Sequence, residues 1–438
     1  MREMTGADAD EPGLTQADTD PAGRISADPR WPLASVDVEA VDALGRLSPG
    51  DLVAFDLGPG PAWLPALAAA FEAGAAVLPV DARLAGPERE ALLARARPTH
   101  AFDGERVARL PDGLRIDPSV ALVVPTSGTG GRPKLVELSR AAVEAAVRTS
   151  AEVLGAGAGD RWLCCLPPAH VGGLLVLLRG VVLGAPVAVH PRFDPAATDA
   201  EPDVAFASLV PTMLARLLDA GVDLARFRAL LVGGAGLDPS LAERAATAGA
   251  RVVATYGCTE SCGGVVYDGR PLPGVEVRIG EGSEILLRGP TLTRGYLRDP
   301  AGTAAALRGG WLRTGDAGHV GPDGLLVVRG RLDEALRTGG ERVWPQEVEV
   351  ALADHPGVAE VVVAARPDPR WGERVVAFVV PRDPSRPPSL EDLRDHAARR
   401  LARFKLPREL VLVESVPRTG SGKVRRGALA DPAGGDPP

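Results

Sequence analysis

Nine consecutive residues, from Thr126 to Lys134, have the composition of an anion-binding loop. Their sequence is TSGTGGRPK, and the apolar run from Val120 to Val124 precedes them. Glycines allow backbone N–H groups to approach an anion closely, while hydroxyl groups and a lysine add hydrogen-bond donors and positive charge. The pattern predicts a strand, a phosphate-binding loop and then a helix. A flexible surface loop of the same composition is the alternative interpretation.

This loop differs from the phosphate loop of the common P-loop enzymes. That motif needs Gly-Lys followed by Ser or Thr, whereas Pro133 precedes Lys134 and Leu135 follows it. A different nucleotide chemistry is therefore indicated. The residues expected to contact phosphate are Thr126, Ser127, Gly128, Thr129, Gly130, Gly131 and Lys134.

Lysine is rare in this chain. Of 49 lysine and arginine residues, only Lys134, Lys405 and Lys423 are lysine. The ammonium group is a compact point charge that the planar guanidinium of arginine does not reproduce. Because Lys134 and Lys423 lie in glycine-rich segments, we expect both to occupy sites that need such a charge.

The composition of the 438 residues excludes several classes of protein. A net charge of −8 and a pI of about 5.5 leave no basic surface for nucleic acid. No apolar run approaches the roughly 20 residues of a membrane helix, and the acidic N-terminus does not resemble a signal peptide. We therefore expect a cytoplasmic protein without membrane insertion. The four cysteines fit packed thiols better than disulfides or a zinc site.

Short apolar runs alternate with helical patterns along most of the chain. This alternation predicts an α/β fold whose parallel sheets are covered by helices. The large N-terminal domain should contain parallel-sheet α/β subdomains and a small β subdomain, and a small, mobile α+β C-terminal domain should follow it. The expected segments are a disordered tail (1–30), the N-terminal domain (31–329), a hinge (330–334), the C-terminal domain (335–430) and a second tail (431–438).

Two predicted strands lead directly into glycine-bearing loops. The strand from Ala229 to Val232 precedes one loop, and the strand from Arg251 to Thr255 precedes the other. Ligands of α/β sheets bind at the carboxyl ends of the strands. The residues of the two loops expected to contact a nucleotide are Gly233, Gly234, Ala235, Tyr256 and Gly257.

Five motifs occur in a fixed order: TSGTGGRPK, YGCTES, WLRTGD, GRLDE and PRTGSGK. Together they resemble the acyl-adenylate-forming enzymes, over about residues 31–429. The resemblance implies an enzyme that uses ATP and Mg²⁺ to join a carboxylate to AMP and releases pyrophosphate. Such an enzyme then passes the acyl group to the thiol of CoA.

The resemblance also assigns roles to residues of the N-terminal domain. Tyr256 would offer an aromatic face to adenine, and Thr259 a hydroxyl to the α-phosphate. Glu260 would be a catalytic residue and an oxygen ligand of Mg²⁺. Asp316 would accept the ribose hydroxyls, with Arg331 as its cationic companion. A plain turn at Tyr256 and a solvated Asp316 and Arg331 are the alternatives without the motifs.

In the C-terminal domain, Lys423 resembles the lysine that stabilises the reacting α-phosphate when the two domains close. Asp333 resembles the hinge residue, and Gly339 and Gly340 resemble a loop that lines a channel for the pantetheine arm of CoA. One departure lies in the phosphate loop, where Gly130 stands in place of a second Thr or Ser. Either backbone N–H groups suffice there, or triphosphate binding is weaker.

Four residues are candidates for binding the acid. His170 could contact its carboxylate or gate the pocket; a structural histidine that caps a helix is the alternative. Arg179 interrupts an apolar helix, so it either faces solvent or needs an anionic partner, because unpaired burial of a charge is costly. A second carboxylate on the substrate would be such a partner. Gly263 and Gly264 would leave a flat slot for an aromatic ring.

The stretches HVGGLLVLLRGVVLG and YGCTESCGGVVYDG resemble those of the o-succinylbenzoate-CoA ligases of menaquinone biosynthesis in actinobacteria. Their substrate has an aromatic ring and two carboxylates. The alternatives are another aryl- or acyl-CoA ligase, an adenylation domain that loads a carrier protein, and a nucleotide-binding regulator without turnover. The expected partners are a small carboxylic acid and CoA. A homodimer is one expected assembly, although the sequence does not determine it.

Overall fold

Strands make up much of the fold. In the residues that the computed structural model describes (38–126, 133–417 and 424–430), they are β1 (Leu52–Phe55), β2 (Ala76–Pro79), β3 (His100–Phe102), β4 (Val107–Arg109), β5 (Val120–Thr126), β6 (Lys134–Ser139), β7 (Arg161–Cys164), β8 (Val187–Val189), β9 (Val204–Leu209), β10 (Ala229–Val232), β11 (Val252–Cys258), β12 (Gly263–Tyr267), β13 (Arg270–Pro271), β14 (Glu276–Ile279), β15 (Glu284–Arg288), β16 (Gly295–Tyr296), β17 (Leu307–Arg308), β18 (Trp311–Val320), β19 (Leu326–Arg331), β20 (Leu336–Thr338), β21 (Glu341–Val343), β22 (Val358–Asp368), β23 (Gly372–Pro381) and β24 (Glu409–Leu412).

The helices of the same residues are α1 (Val38–Gly45), α2 (Trp63–Glu72), α3 (Gly86–Ala96), α4 (Arg140–Leu154), α5 (Val171–Leu183), α6 (Pro195–Ala200), α7 (Pro211–Asp219), α8 (Pro239–Thr247), α9 (Pro300–Ala306), α10 (Pro345–Ala353), α11 (Leu390–Ala397) and α12 (Arg426–Ala430). The tails predicted at residues 1–30 and 431–438 lie outside the described residues.

Two seven-stranded sheets form most of the N-terminal part. The first has the order β16-β6-β5-β2-β1-β3-β4, and the second has the order β13-β12-β11-β10-β9-β7-β8. In each sheet the central strands are parallel, and the strands nearest one or both edges are antiparallel. The predicted α/β class with parallel sheets is confirmed.

Helix α5 lies in the interior and contacts both α2 and α4. Its residues from Gly173 to Gly180 are buried, which explains why its sequence is apolar on nearly every side. One buried cluster extends from Phe55 in the first sheet to Trp162 and Phe206 in the second. The two sheets therefore share a core, with helices packed inside it.

The remaining two sheets have five strands each. The third, built from β14, β15, β17, β18 and β19, is antiparallel throughout. The fourth has the order β21-β20-β23-β22, with β24 parallel to β23, and it packs with α10 and α11. Residues 332–335 connect the last strand of the third sheet to the first strand of the fourth. These sheets are the small β and α+β units that the sequence predicted.

The helix predicted after the phosphate loop is present as α4, but a strand that was not predicted comes before it. The loop leads into β6, which pairs antiparallel with β5 through Thr126 opposite Lys134. Helix α4 starts only at Arg140, where Ser139 caps it by accepting a hydrogen bond from the Ala142 N–H. Leu135, Val136 and Leu138 of this strand are buried, and the polar residues between and beside them are partly exposed.

Two adjacent glycines in the first turn of α5 allow a test of this packing. A Cβ on Gly173 would lie 2.4 Å from the carbonyl oxygen of Pro167, whereas a Cβ on Gly172 would meet only the flexible end of Leu166 at 3.3 Å. We expect Gly173→Ala to lower the free energy of unfolding by about 1–3 kcal/mol through overpacking. Gly172→Ala is the matched control, because both changes bring the same gain in helix propensity. Equal urea midpoints for the two variants would contradict the close approach.

Candidate active site

The phosphate loop is described only at its two ends. Thr126 is the last residue of β5 and Lys134 the first of β6, so the loop joins neighbouring antiparallel strands. Ser127, Gly128, Thr129, Gly130 and Gly131 lie outside the described residues. The hairpin geometry brings both ends of the loop to one place.

Lys134 lies against a tyrosine that sequence reasoning missed. Its Nζ is 4.7 Å from the centroid of the Tyr296 ring and 3.5 Å from the Tyr296 hydroxyl oxygen, at the outer limit of a hydrogen bond. The same hydroxyl donates a 2.9 Å hydrogen bond to Oε1 of Glu260. Tyr296 thus joins the lysine of the phosphate loop to the carboxylate predicted to bind Mg²⁺.

Glu260 lies in a short 3-10 turn, Thr259–Ser261, that follows β11. The Ser261 hydroxyl accepts a 2.9 Å hydrogen bond from the Cys258 N–H and so stabilises the turn. Strand β11 and its neighbour β12 approach very closely here, because a Cβ on Gly257 would lie 1.9 Å from the Gly263 carbonyl oxygen. A glycine at this position is therefore needed for the turn to form where it does.

Tyr256, Asp316 and Arg331 come together from three different strands. The Tyr256 hydroxyl donates to Oδ2 of Asp316 at 2.8 Å, and Nη1 of Arg331 donates to Oδ1 at 3.2 Å. Arg331 also contacts the carbonyl oxygen of Thr314 at 3.0 Å and the carboxylate of Asp333 at 3.3 Å. One guanidinium therefore serves two carboxylates.

Burial dominates the titration of this group. It raises the pKa of the Asp316 carboxyl above its usual value, while the hydrogen bond from Tyr256 and the charge of Arg331 oppose the shift. Burial and the neighbouring Asp316 also raise the pKa of the Tyr256 hydroxyl. Tyr256 thus stays a neutral donor at physiological pH, and both Tyr256 and Arg331 oppose the effect of burial on the pKa of Asp316.

The glycine loop after β10 lies at the same sheet edge as Tyr256, because β10 and β11 are parallel neighbours. A Cβ on Gly233 would lie 2.3 Å from the Thr255 hydroxyl, and Gly234 has a φ of +79°. Gly234 and Ala235 are exposed. The loop therefore leaves room for a ligand above the carboxyl ends of these strands.

His170 precedes helix α5 and contacts two residues that follow β2. Its Nε2 lies 3.0 Å from Nη2 of Arg83 and 3.4 Å from Oδ2 of Asp81. Arg83 in turn donates to both oxygens of Asp81 and lowers the pKa of that carboxyl. No hydrogen bond joins the His170 side chain to the helix N–H groups in the described residues, so the capping alternative is not supported. Asp81 and Arg83 gave no signal in the sequence.

Arg179 is buried, with only 3% of its surface exposed. Its partners are neutral: Nη2 donates to the Ser150 hydroxyl at 3.0 Å, and the guanidinium lies 4.1 Å from the Trp162 ring centroid. Within the described part of the chain, no carboxylate is among the groups that act on it, and its Nε has no hydrogen-bond partner. The solvent-facing alternative is thus wrong, while the carboxylate partner is absent from the described residues.

Gly263, one of the two glycines predicted to form a slot, is buried against helix α5. A Cβ on Gly263 would lie 2.3 Å from Leu175 and 3.8 Å from Val171, so β12 touches α5 there. Because residues four apart lie on one helix face, Arg179 continues the stripe formed by Val171 and Leu175. Gly264 packs beside Thr255 and the Tyr267 ring. The face of α5 that contacts Gly263 is therefore the face that carries Arg179.

The structure describes three of the four residues predicted in the C-terminal part. Gly339 and Gly340 form the exposed turn of the β20–β21 hairpin, with φ of +61° and +86°. Asp333 is exposed and contacts Arg331. Lys423 lies outside the described residues.

The four cysteines are unpaired, and three of them are buried. Burial raises the pKa of the Cys165, Cys258 and Cys262 thiols to about 12. The described residues contain no cluster of three or more side chains able to hold a metal ion. Among the helices described, none is long and apolar enough to cross a membrane.

The Asp316 carboxylate, beside Tyr256 and Arg331, has the chemistry to bind the hydroxyls of a ribose. Lys134, Tyr296 and Glu260 together have the chemistry to bind phosphates that carry a metal ion. The class that this fold and site define is an ATP-dependent enzyme that activates a carboxylic acid. A family model described as "AMP-binding enzyme" matches residues 111–297, and one described as "AMP-binding enzyme C-terminal domain" matches residues 347–423. The chain belongs to the AMP-binding enzyme family.

Several known proteins resemble the chain over most of its length. A probable 2-succinylbenzoate-CoA ligase of Mycobacterium tuberculosis is 41% identical, over 82% of this chain and 96% of its own. An indoleacetate-CoA ligase of Aromatoleum aromaticum is 34% identical, over 84% of this chain and 85% of its own. The structure of o-succinylbenzoate-CoA synthetase from Bacillus subtilis with its acyl-adenylate intermediate has a TM-score of 0.79 and 27% identity, covering 90% of this chain and 93% of that one.

The role of Arg331 can be tested by the pH dependence of AMP binding. If Asp316 accepts the ribose hydroxyls as an ionised carboxylate, the affinity for AMP should be full above the pKa of Asp316 in the folded protein and fall as pH drops through it. Arg331→Gln removes a cation that lowers this pKa, so affinity should be lost at a higher pH than in the wild type. Calorimetric titration with AMP at a series of pH values measures the shift.

Arg329→Gln is the matched control for this prediction. Arg329 lies on the same strand, over the Trp344 ring, and its replacement changes the net charge by the same amount. The same shift in both variants, or none in Arg331→Gln, would contradict a specific pairing with Asp316.

Proposed function

We propose that the protein activates o-succinylbenzoate with ATP and then transfers the acyl group to CoA. In the first step a carboxylate oxygen bonds to the α-phosphorus of ATP, and the bond to the β-phosphate breaks, releasing pyrophosphate. In the second, the sulfur of CoA bonds to the acyl carbon, the thiol proton is lost and AMP leaves. The products are o-succinylbenzoyl-CoA and AMP.

The observation that carries the substrate assignment is the buried Arg179. Its charge has only neutral partners among the described residues, and its Nε is unpaired. Burial of a cation without an anionic partner costs about 3–5 kcal/mol, even after the surrounding protein relaxes. The second carboxylate of o-succinylbenzoate would supply that partner while the ring lies against Gly263 and Gly264. The 2-succinylbenzoate-CoA ligases among the relatives support this assignment.

The nucleotide would occupy the carboxyl ends of β10 and β11. Tyr256 and the loop of Gly233, Gly234 and Ala235 would flank adenine, and Asp316 would accept the ribose hydroxyls. Thr259 would donate to the α-phosphate. The loop from Thr126 to Lys134 would hold the β- and γ-phosphates.

Glu260 fits the role of a Mg²⁺ ligand. Mg²⁺ prefers oxygen ligands and is usually held by one or two carboxylates together with substrate phosphates and water. A lone carboxylate fixed by a hydrogen bond from Tyr296 meets this need without a protein-only metal cluster. When bound, the ion would neutralise phosphate charge.

The C-terminal residues would act in turn. Lys423 would approach the α-phosphate during adenylation and stabilise its developing charge. Rotation about Asp333 would then withdraw the lysine and present Gly339 and Gly340 to the pantetheine arm of CoA. His170, held by Arg83 and Asp81, would contact the entering carboxylate.

The need for ATP and CoA as substrates, together with four unpaired thiols, supports a cytoplasmic location. A homodimer stays a prediction that light scattering can test.

The catalytic assignment of Lys423 predicts a selective loss of adenylation. We expect Lys423→Ala to slow ATP–pyrophosphate exchange by about 10²–10³-fold, the usual cost of removing one donor to a developing charge. Lys405→Ala is the matched control, because Lys405 pairs with Glu347 inside the same domain. Transfer to CoA from a preformed acyl-adenylate should survive in Lys423→Ala. Unchanged exchange in that variant would remove the lysine from the mechanism.

The substrate assignment predicts a preference among acids. AMP release with ATP, Mg²⁺ and CoA should be fastest with o-succinylbenzoate and slower with benzoate, indoleacetate and a medium-chain fatty acid. Arg179→Met, which keeps the length but not the charge, should reduce the kcat/KM ratio of o-succinylbenzoate to benzoate by about 10–100-fold, the loss of a charged hydrogen bond.

Arg140→Met is the control, since Arg140 also packs on an aromatic ring, Phe71, and donates to a neutral acceptor. It should affect stability and leave the ratio unchanged. A preference for indoleacetate would support the acid-CoA ligase reaction and contradict the assignment of o-succinylbenzoate as the substrate. Acyl transfer to a phosphopantetheinyl protein but not to CoA would favour a carrier-loading enzyme.

A further inference from the structure

Tyr296 holds a place between two groups of the proposed phosphate site. It lies on β16, where it pairs with Val136 of β6, and only 6% of its surface is exposed. Its ring faces Nζ of Lys134, and its hydroxyl reaches Oε1 of Glu260 at 2.9 Å. The tyrosine therefore links the first sheet, which carries the phosphate loop, to the turn after β11 in the second.

The direction of these hydrogen bonds follows from the chemistry of the three groups. An ammonium group can only donate, and an ionised carboxylate can only accept. The Tyr296 hydroxyl must therefore donate its proton to Glu260 and offer its lone pairs to Lys134.

The backbone beside Tyr296 reinforces the same link. The Thr293 N–H donates to the carbonyl oxygen of Glu260 at 2.7 Å, and the Thr293 hydroxyl donates to the carbonyl oxygen of Glu137 on β6 at 2.7 Å. The Tyr296 N–H donates to the Thr303 hydroxyl at 2.9 Å. Both the main chain and the side chain of Glu260 are thus held by one short segment, residues 293–296.

We propose that Tyr296 is a positioning residue that holds Oε1 of Glu260 and leaves Oε2 free to bind Mg²⁺ on the nucleotide. This inference rests on the proposed role of Glu260 as the metal ligand. Partners that orient a ligating side chain fix its geometry and raise metal affinity. Tyr296 also keeps the ammonium of Lys134 beside the carboxylate, so that both groups meet the same phosphates.

The test is the affinity of the full-length protein for Mn²⁺ in complex with α,β-methylene-ATP, measured by electron paramagnetic resonance. Mn²⁺ replaces Mg²⁺ as a visible probe, and the methylene bridge prevents turnover. Tyr296→Phe keeps the ring that faces Lys134 and removes only the hydroxyl. We expect Mn²⁺ affinity to fall by about 10–100-fold, while binding of the analogue without metal changes little.

Tyr267→Phe is the matched control. Tyr267 is also buried, and its hydroxyl forms a 2.7 Å hydrogen bond with Ser150. Both variants remove one buried tyrosine hydroxyl with its hydrogen bonds, so circular dichroism and urea unfolding should show similar effects on the fold. Only Tyr296→Phe should lose Mn²⁺ affinity. An equal loss in Tyr267→Phe would reduce the effect to general packing and overturn the proposal.

Glu260→Gln separates this inference from the proposed function. If Tyr296 acts through Glu260, the double variant should bind Mn²⁺ no more weakly than Glu260→Gln alone. Additive losses of Mn²⁺ affinity in the double variant would overturn the proposal. Normal Mn²⁺ affinity in Tyr296→Phe, together with a loss in Glu260→Gln, would also overturn it. That second result would still support Glu260 as the metal ligand. Normal affinity in Glu260→Gln would remove both the metal role and the positioning role.

Discussion

The carboxyl end of strand β11 is the point at which three sheets are joined. Tyr256, within that strand, donates to Asp316 of the third sheet, and Glu260, in the turn that follows, accepts from Tyr296 of the first. Each bond involves a carboxylate that is largely removed from water, and such bonds contribute about 1.5–3 kcal/mol. Because Tyr256 and Glu260 are only four residues apart, the relative position of the sheets is fixed at the place where the nucleotide is proposed to bind.

The close approach of β11 and β12 makes this junction possible. At Gly257 the two backbones leave no room for a Cβ, and the pairing shifts register at the same point. A β-bulge of this kind re-aims the side chains that follow it. The Tyr256 hydroxyl and the Glu260 carboxylate consequently face different sheets, which a regular strand would not achieve so readily.

The parallel sheets were predictable because the apolar runs and helical patterns alternate over long distances, which is the strongest signal in a single sequence. Strand β6 was missed because its six residues do not alternate strictly: the neighbours Leu135 and Val136 are both buried, so the period of two that marks a strand is weak. The motifs identified the candidate site residues in the sequence, including Tyr256, Asp316 and Arg331.

The motifs did not predict the partners of those residues. Tyr296 lies in a strand of two residues whose pairing with β6 spans more than 150 positions of sequence, and nothing local reveals such a contact. The burial of Arg179 was equally open, because an arginine in an apolar helix can extend to solvent or stay inside. Only the packing of α5 between two sheets decides between these outcomes.

The guanidinium of Arg331 has a consequence for the order of events in the reaction. It contacts both Asp316, which is proposed to hold the ribose, and Asp333, the proposed hinge. If hinge rotation draws Arg331 toward one carboxylate, the other loses part of its counter-charge. Linkage makes this effect reciprocal: if domain rotation changes the affinity for AMP by some factor, bound AMP changes the equilibrium constant of rotation by the same factor. A single coupling free energy would then govern both nucleotide release and domain movement.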